Sequence, residues 1–128
     1  MSYYYTNKVD MSFEHALTAV EDLLKKEGFG ILTEIDVQAT FKKKLDVDFK
    51  KYKILGACNP TFAHKAISIE DKIGVFLPCN VVVSEEDDGK VEVSAVSPKA
   101  SMAAVENANL GAVANEIEER LARVINSL

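Results

Sequence analysis

Two cysteines stand in near-mirrored contexts, Cys58-Asn59-Pro60 and Pro78-Cys79-Asn80. Thiolates are nucleophiles, redox groups and soft-metal ligands, so chemistry would concentrate here. Each cysteine lies in or beside an apolar run, Ile54-Leu55-Gly56-Ala57 for the first and Gly74-Val75-Phe76-Leu77 for the second. Packing alone gives little reason for Pro within a strand-like run, so the two motifs mark a candidate site. Three readings fit. In the first, Cys58, Asn59, Pro60, Pro78, Cys79 and Asn80 line a pocket for a small molecule or a soft metal ion, and the paired asparagines suit a small polar ligand. In the second, the protein is a cysteine-dependent enzyme or redox protein using Cys58 with Cys79. Cys58 directly precedes an expected helix N-terminus, which favours a thiolate. In the third, the protein is structural and both thiols are core residues, since free Cys is among the most buried residue types. The spacing is not that of a CxxC motif and does not decide among the three.

Other candidate groups are weaker. His64 follows Cys58 by six positions, under two helical turns, which sets it on a different helix face. His15 falls in the first turn of the opening helix, where the dipole disfavours a charged imidazole. Lys42, Lys43, Lys44, Lys50, Lys51 and Lys53 are interleaved with Phe41, Phe49 and Tyr52; a solvated face flanking buried aromatics is the expectation, with an anionic-ligand or nucleic-acid patch the alternative. The net charge of −5 argues against general nucleic-acid binding, which relies on phosphate neutralisation. Glu85, Glu86, Asp87 and Asp88 lack EF-hand spacing and read as a solvated hairpin tip. Neither a Gly-rich phosphate fingerprint nor an HExxH motif is present.

Those residues need a scaffold. A strand is expected over Tyr3 to Val9, then a helix capped by Ser12 with Phe13, Ala16, Leu17, Val20, Leu23 and Leu24 as its apolar stripe and Gly28 at its end. A second strand runs from Phe29 to Ile35, with Ile31, Thr33 and Ile35 on one face. Asp36 caps a short helix through Leu45, bearing Val37, Phe41 and Leu45 at four-residue spacing. Tyr52 to Cys58 is a third strand, and Asn59-Pro60 opens a third helix. Ile73 to Ser84 reads as a long strand broken by Pro78, hence an edge or a bulge. Asp88-Gly89 signals a hairpin into Lys90 to Val96. A short helix over Ala100 to Val105 follows Ser97-Pro98. Asn109 then caps a long one with Leu110, Val113, Ala114, Ile117, Leu121, Val124 and Ile125 as its buried stripe.

The 128 residues, 48% of them hydrophobic, are enough for a single domain, 1–128, with a real core. The fold class expected is α+β, a largely antiparallel sheet with helices packed on one face. No apolar run approaches the ~20 residues that cross a bilayer. Met1-Ser2-Tyr3-Tyr4-Tyr5 lacks the features of a signal peptide, so a cytoplasmic location with reduced thiols is the expectation. Tyr3-Tyr4-Tyr5, the strand broken by Pro78 and the C-terminal helix are candidate contact surfaces for a homodimer.

The order of motifs carries a resemblance. Gly28-Phe29-Gly30-Ile31-Leu32-Thr33-Glu34-Ile35-Asp36 comes first, then Tyr52-Lys53-Ile54-Leu55-Gly56-Ala57-Cys58-Asn59-Pro60. Ile73-Gly74 followed by Leu77-Pro78-Cys79-Asn80-Val81-Val82-Val83 completes it. Together they resemble the uncharacterised family known as domain of unknown function 302, over nearly the whole chain. The resemblance implies a compact α+β domain related to the TATA-binding-protein-like class, often a homodimer, and brings no activity, substrate or cofactor with it. The fold analogy does not imply DNA binding. Relatives often carry Asp-Pro where this chain has Ser97-Pro98, so any role of that carboxylate is expected to be lost or weakened here.

Overall fold

The computed structural model describes residues 2–128. Five strands, β1 (Tyr4–Val9), β2 (Gly30–Asp36), β3 (Tyr52–Cys58), β4 (Cys79–Glu85) and β5 (Val91–Val96), form one sheet in the order β1-β5-β4-β3-β2. Every neighbouring pair is antiparallel. The helices are α1 (Phe13–Lys26), α2 (Val37–Leu45), α3 (Pro60–Ile69), α4 (Pro98–Ser101) and α5 (Leu110–Asn126).

Alternation along the strands sends Leu55, Ala57, Val81, Val83, Val91, Val93 and Ala95 to one face, where all are buried. The long helices α1 and α5 pack there, contributing Val20, Leu24, Leu121 and Ile125. Each fully buried Val or Leu contributes about 1.5–3 kcal/mol. The ion pairs are largely solvent-exposed, where water and salt screen them. This layer, not the charges, therefore holds the fold.

The helix boundaries follow from local chemistry. The Ser12 hydroxyl accepts from His15 N at 3.0 Å, and the Asp36 carboxylate accepts from Ala39 N at 2.9 Å. Helix α1 stops at Gly28, whose φ of 86° suits glycine alone, with Gly28 N donating to Lys25 O and Phe29 N to Leu24 O.

Several expectations are corrected. The run from Ile73 to Ser84 is not one strand: Asp71–Phe76 is a 3₁₀ turn and β4 begins at Cys79. Pro78, after a cis peptide bond, precedes the strand, so it removes no ladder hydrogen bond. Strand β4 is therefore free to lie between β3 and β5, and it is no edge. In β2 the register slips between Ile31 and Thr33, leaving Leu32 in a bulge, 69% exposed. A bulge on an edge strand discourages further pairing. The stripe of α2 packs only loosely: Val37 and Phe41 are half-buried and Leu45 is exposed. The helix after Ser97 is Pro98–Ser101 rather than Ala100 to Val105. Asn109 stands at the start of α5, but its side chain makes no capping bond.

Candidate functional site

The two cysteine motifs meet at a small cavity, and the first of them builds a joint between helices. Asn59 Oδ1 accepts from Phe62 N at 3.4 Å, capping α3, while Nδ2 donates to Glu27 O at 3.3 Å, the terminal carbonyl of α1. Arg120 Nη1 of α5 donates to the same carbonyl at 3.0 Å. One oxygen thus ties three helices together, and Asn59 is buried where it does so. Pro60 takes the first position of α3, where its missing N–H costs nothing. Asn59→Ala is expected to destabilise the fold by about 1–2 kcal/mol, because a cap and a bridge are lost together; urea unfolding followed by circular dichroism measures it.

Cys79 lies opposite Ala57 in the ladder and is buried, while Cys58 is half-buried. The cavity between the motifs, walled by Phe29, Cys58, Asn59, Pro78, Cys79 and Ile117, holds about 20 Å³. That is room for about one water. Burial, and secondarily the neighbouring Cys58, pushes the Cys79 thiol up to about 11. Cys79 is therefore protonated at neutral pH and is not poised as a nucleophile. At pH 7 it is expected to resist thiol reagents until the protein is denatured, as a free-thiol count before and after denaturation will read. An unfolded thiol ionises near 9.0 and the folded one at about 11. The contribution of Cys79 to stability is thus intact below pH 9.0 and lost as the pH climbs through 11. Among the described residues, no group of three or more His, Cys, Asp or Glu converges as a metal-ligand set.

Asn80 goes elsewhere. It lies on the opposite sheet face from Cys79, exposed, in a cleft of about 480 Å³. Three ladder rows form the floor. Tyr52, Ser84, Glu92 and Lys8 cross the sheet in the first row, and Ile54, Val82, Ser94 and Thr6 in the second. The third has Gly56 and Asn80 at one side and Val96 and Tyr4 at the other. Tyr3 and Lys50 add to the walls. At one end Ser84 Oγ donates to Glu86 Oε1 at 2.8 Å, and Lys50 Nζ reaches Glu86 Oε2 at 3.1 Å. The Ser84 and Lys50 contacts hold the Glu86 carboxyl below the usual range, against the opposing effect of burial. Burial and the hydrogen-bonded Glu86 raise that of Glu92. In the middle Thr6 Oγ1 and Ser94 Oγ are hydrogen-bonded at 2.9 Å. A second hollow of about 510 Å³ beside α2 is built from one helix and the loop after it, and its Lys42 is already paired with Asp46 and Asp48.

Of the six candidate residues, Cys58, Asn59, Pro78 and Cys79 thus surround the small cavity, Pro60 starts a helix, and Asn80 alone lines the cleft. Sequence reasoning missed Tyr52, Ser84, Glu86, Glu92 and Ser94 as cleft residues. In sequence they are the polar half of alternating strands and a charged turn; only the register puts them side by side.

A five-stranded antiparallel open sheet, backed by α1 and α5, defines a small single-sheet α+β protein. Residues 5–128 match the family model described as Domain of unknown function DUF302, and the chain belongs to that family. It is similar to the crystal structure of an uncharacterized conserved protein DUF302 from Bacillus stearothermophilus: 30% identity, a TM-score of 0.92, and 98% of each chain covered. No curated protein matches it. No helix among the described residues is long and apolar enough to cross a membrane.

Proposed function

We propose that this protein is a small-molecule binding module that seats its ligand on the face of the sheet opposite α1 and α5. The supporting observation is the contrast between two spaces. The cavity at the thiols holds about 20 Å³, whereas the open-face cleft holds about 480 Å³, within the ~300–1,000 Å³ usual for ligand sites. The cleft also combines tyrosines with convergent hydroxyl, amide and carboxylate groups, the mixture that fixes a ligand's orientation. Cys58, Asn59, Pro78 and Cys79 then belong to the core behind it. The soft-metal reading keeps two thiols, short of the four ligands of a closed thiolate site, and elemental analysis of anaerobically purified protein is its test. The proposed setting is the cytoplasm, where both thiols stay reduced.

A library of small polar and aromatic fragments, screened by amide chemical-shift mapping, tests the reading. Shifts gathering at Thr6, Tyr52, Asn80, Val82 and Ser94 support it. Shifts gathering at Phe29, Ala63 and Ile117, or none anywhere, overturn it.

The same proposal extends to assembly: a homodimer pairs along the β1 edge, where Tyr3 is 70% and Tyr4 42% exposed. The other two contact surfaces named from the sequence fall away, since β4 is internal and α5 turns its apolar stripe into its own core. A monomeric mass by light scattering at micromolar concentration overturns the dimer.

A further inference from the structure

The geometry points to an organic cation with an apolar or aromatic body as the ligand of the open-face cleft, its ammonium or guanidinium group held between Glu86 and Glu92 and its body lying over Val82 between Tyr52 and Tyr4. This inference rests on the open-face reading above and names the ligand class of that site.

Charge complementarity carries it. Two carboxylates face one lysine at this end of the cleft, and Lys50 is already held by Glu86 at 3.1 Å. Lys8, next to Glu92 in the same row, is held by Asp88 at 2.8 Å. Among the described residues no Lys or Arg lies within ion-pair distance of Glu92. A half-buried carboxyl pair without a full complement of cations is relieved when a cation arrives, since opposite charge favours the ionised form. The groups facing Glu92 are Lys8, Ser84, Glu86 and Lys50; burial and Glu86 raise its carboxyl above the usual range, and a bound cation pulls it back towards the ionised form. The rest of the cleft suits the body of such a molecule. Tyrosine faces attract cations and stack on flat groups. At about 3.3 Å per residue, the floor from Glu92 to Val96 is ~13 Å long. The Thr6–Ser94 hydroxyl pair and the Asn80 amide lie along it for polar substituents.

Three matched probes test the class on the full chain: phenethylamine, the neutral 2-phenylethanol and the anionic phenylacetate, titrated by chemical-shift mapping. Phenethylamine is expected to bind at the cleft at least ten-fold more tightly than the alcohol, with phenylacetate weakest. Glu92→Gln is expected to remove that preference while leaving the circular dichroism spectrum unchanged. Calorimetry in buffers of different ionisation enthalpy should record proton release on binding below neutral pH. Cleft shifts without preference for the amine overturn the cation class and leave the open-face seat standing. No cleft shifts with any probe or fragment overturn both. A dimer that Ser94→Arg abolishes would assign the face to a second copy and overturn the proposal.

Discussion

Gly56→Ala is expected to cost more than 3 kcal/mol, or to leave no folded protein at all. A Cβ at this position would lie 2.1 Å from Thr33 Oγ1 and 2.8 Å from Pro78 Cγ. Neither neighbour gives way cheaply. Thr33 is held on β2 by pairing with Gly56 itself, and the Pro78 ring is locked to its own backbone. Ordinary overpacking costs ~1–3 kcal/mol; a contact this short on two sides exceeds it. The matched measurement is urea unfolding of Gly56→Ala and of Gly56→Ala with Thr33→Ala. The second change removes the hydroxyl but not the clash with Pro78, so partial recovery is the expected outcome. A Gly56→Ala protein as stable as the parent would show that the β2–β3 pair and the Pro78 turn shift together freely.

The second large effect belongs to Glu118. This buried carboxylate on α5 accepts from Tyr5 Oη at 2.5 Å, from Ser97 Oγ at 2.9 Å and from Lys99 N at 3.1 Å. It ties β1, the end of β5 and the start of α4 to the last helix. Ser97 Oγ in turn accepts from Ala100 N at 3.3 Å, capping α4. Glu118→Ala is expected to cost about 3 kcal/mol, since hydrogen bonds to a charged group are worth ~1.5–3 kcal/mol and buried donors are left unmet. Tyr5→Phe is expected to cost ~1 kcal/mol, and the double variant less than the sum. The bond to Glu118, helped by burial, raises the Tyr5 phenol above its usual 10.0. Its contribution is complete below pH 10.0 and lost as the pH rises through the higher folded value. Tyr5→Phe should therefore flatten the alkaline limb of a stability–pH curve.

The fold was largely readable because its signals are local. Val91, Val93 and Ala95 alternate, the stripe of α5 repeats helically, and Ser12, Asp36 and Asn59 cap where caps are needed. The errors fell where a distant partner decided the outcome. Ile73 to Phe76 is apolar and β-prone, yet Ile73 is buried as part of a 3₁₀ turn beside α3, so burial overrode propensity. The slip at Leu32 is set by the register against β3, which no property of Leu32 announces. The site was half visible for the same reason. Chemically unusual residues drew attention to the thiols, which enclose a cavity of only about 20 Å³. The cleft is assembled from ordinary Ser, Thr, Glu and Tyr whose proximity exists only across strands.

Strand β1 pairs with β5, the first strand with the last, Tyr4 opposite Val96 and Val9 opposite Val91. During synthesis at ~5–20 residues per second, roughly 80 residues must follow Val9 before its partner exists, a wait of about 4–16 s. Closing so long a loop also weights the domain towards non-local contacts and slow folding. Throughout that wait Tyr4 and Tyr5 stand with an unpaired backbone, the condition in which nascent chains engage chaperones or each other. The sheet's order thus makes the β4–β5 hairpin the event that ends the vulnerability of β1.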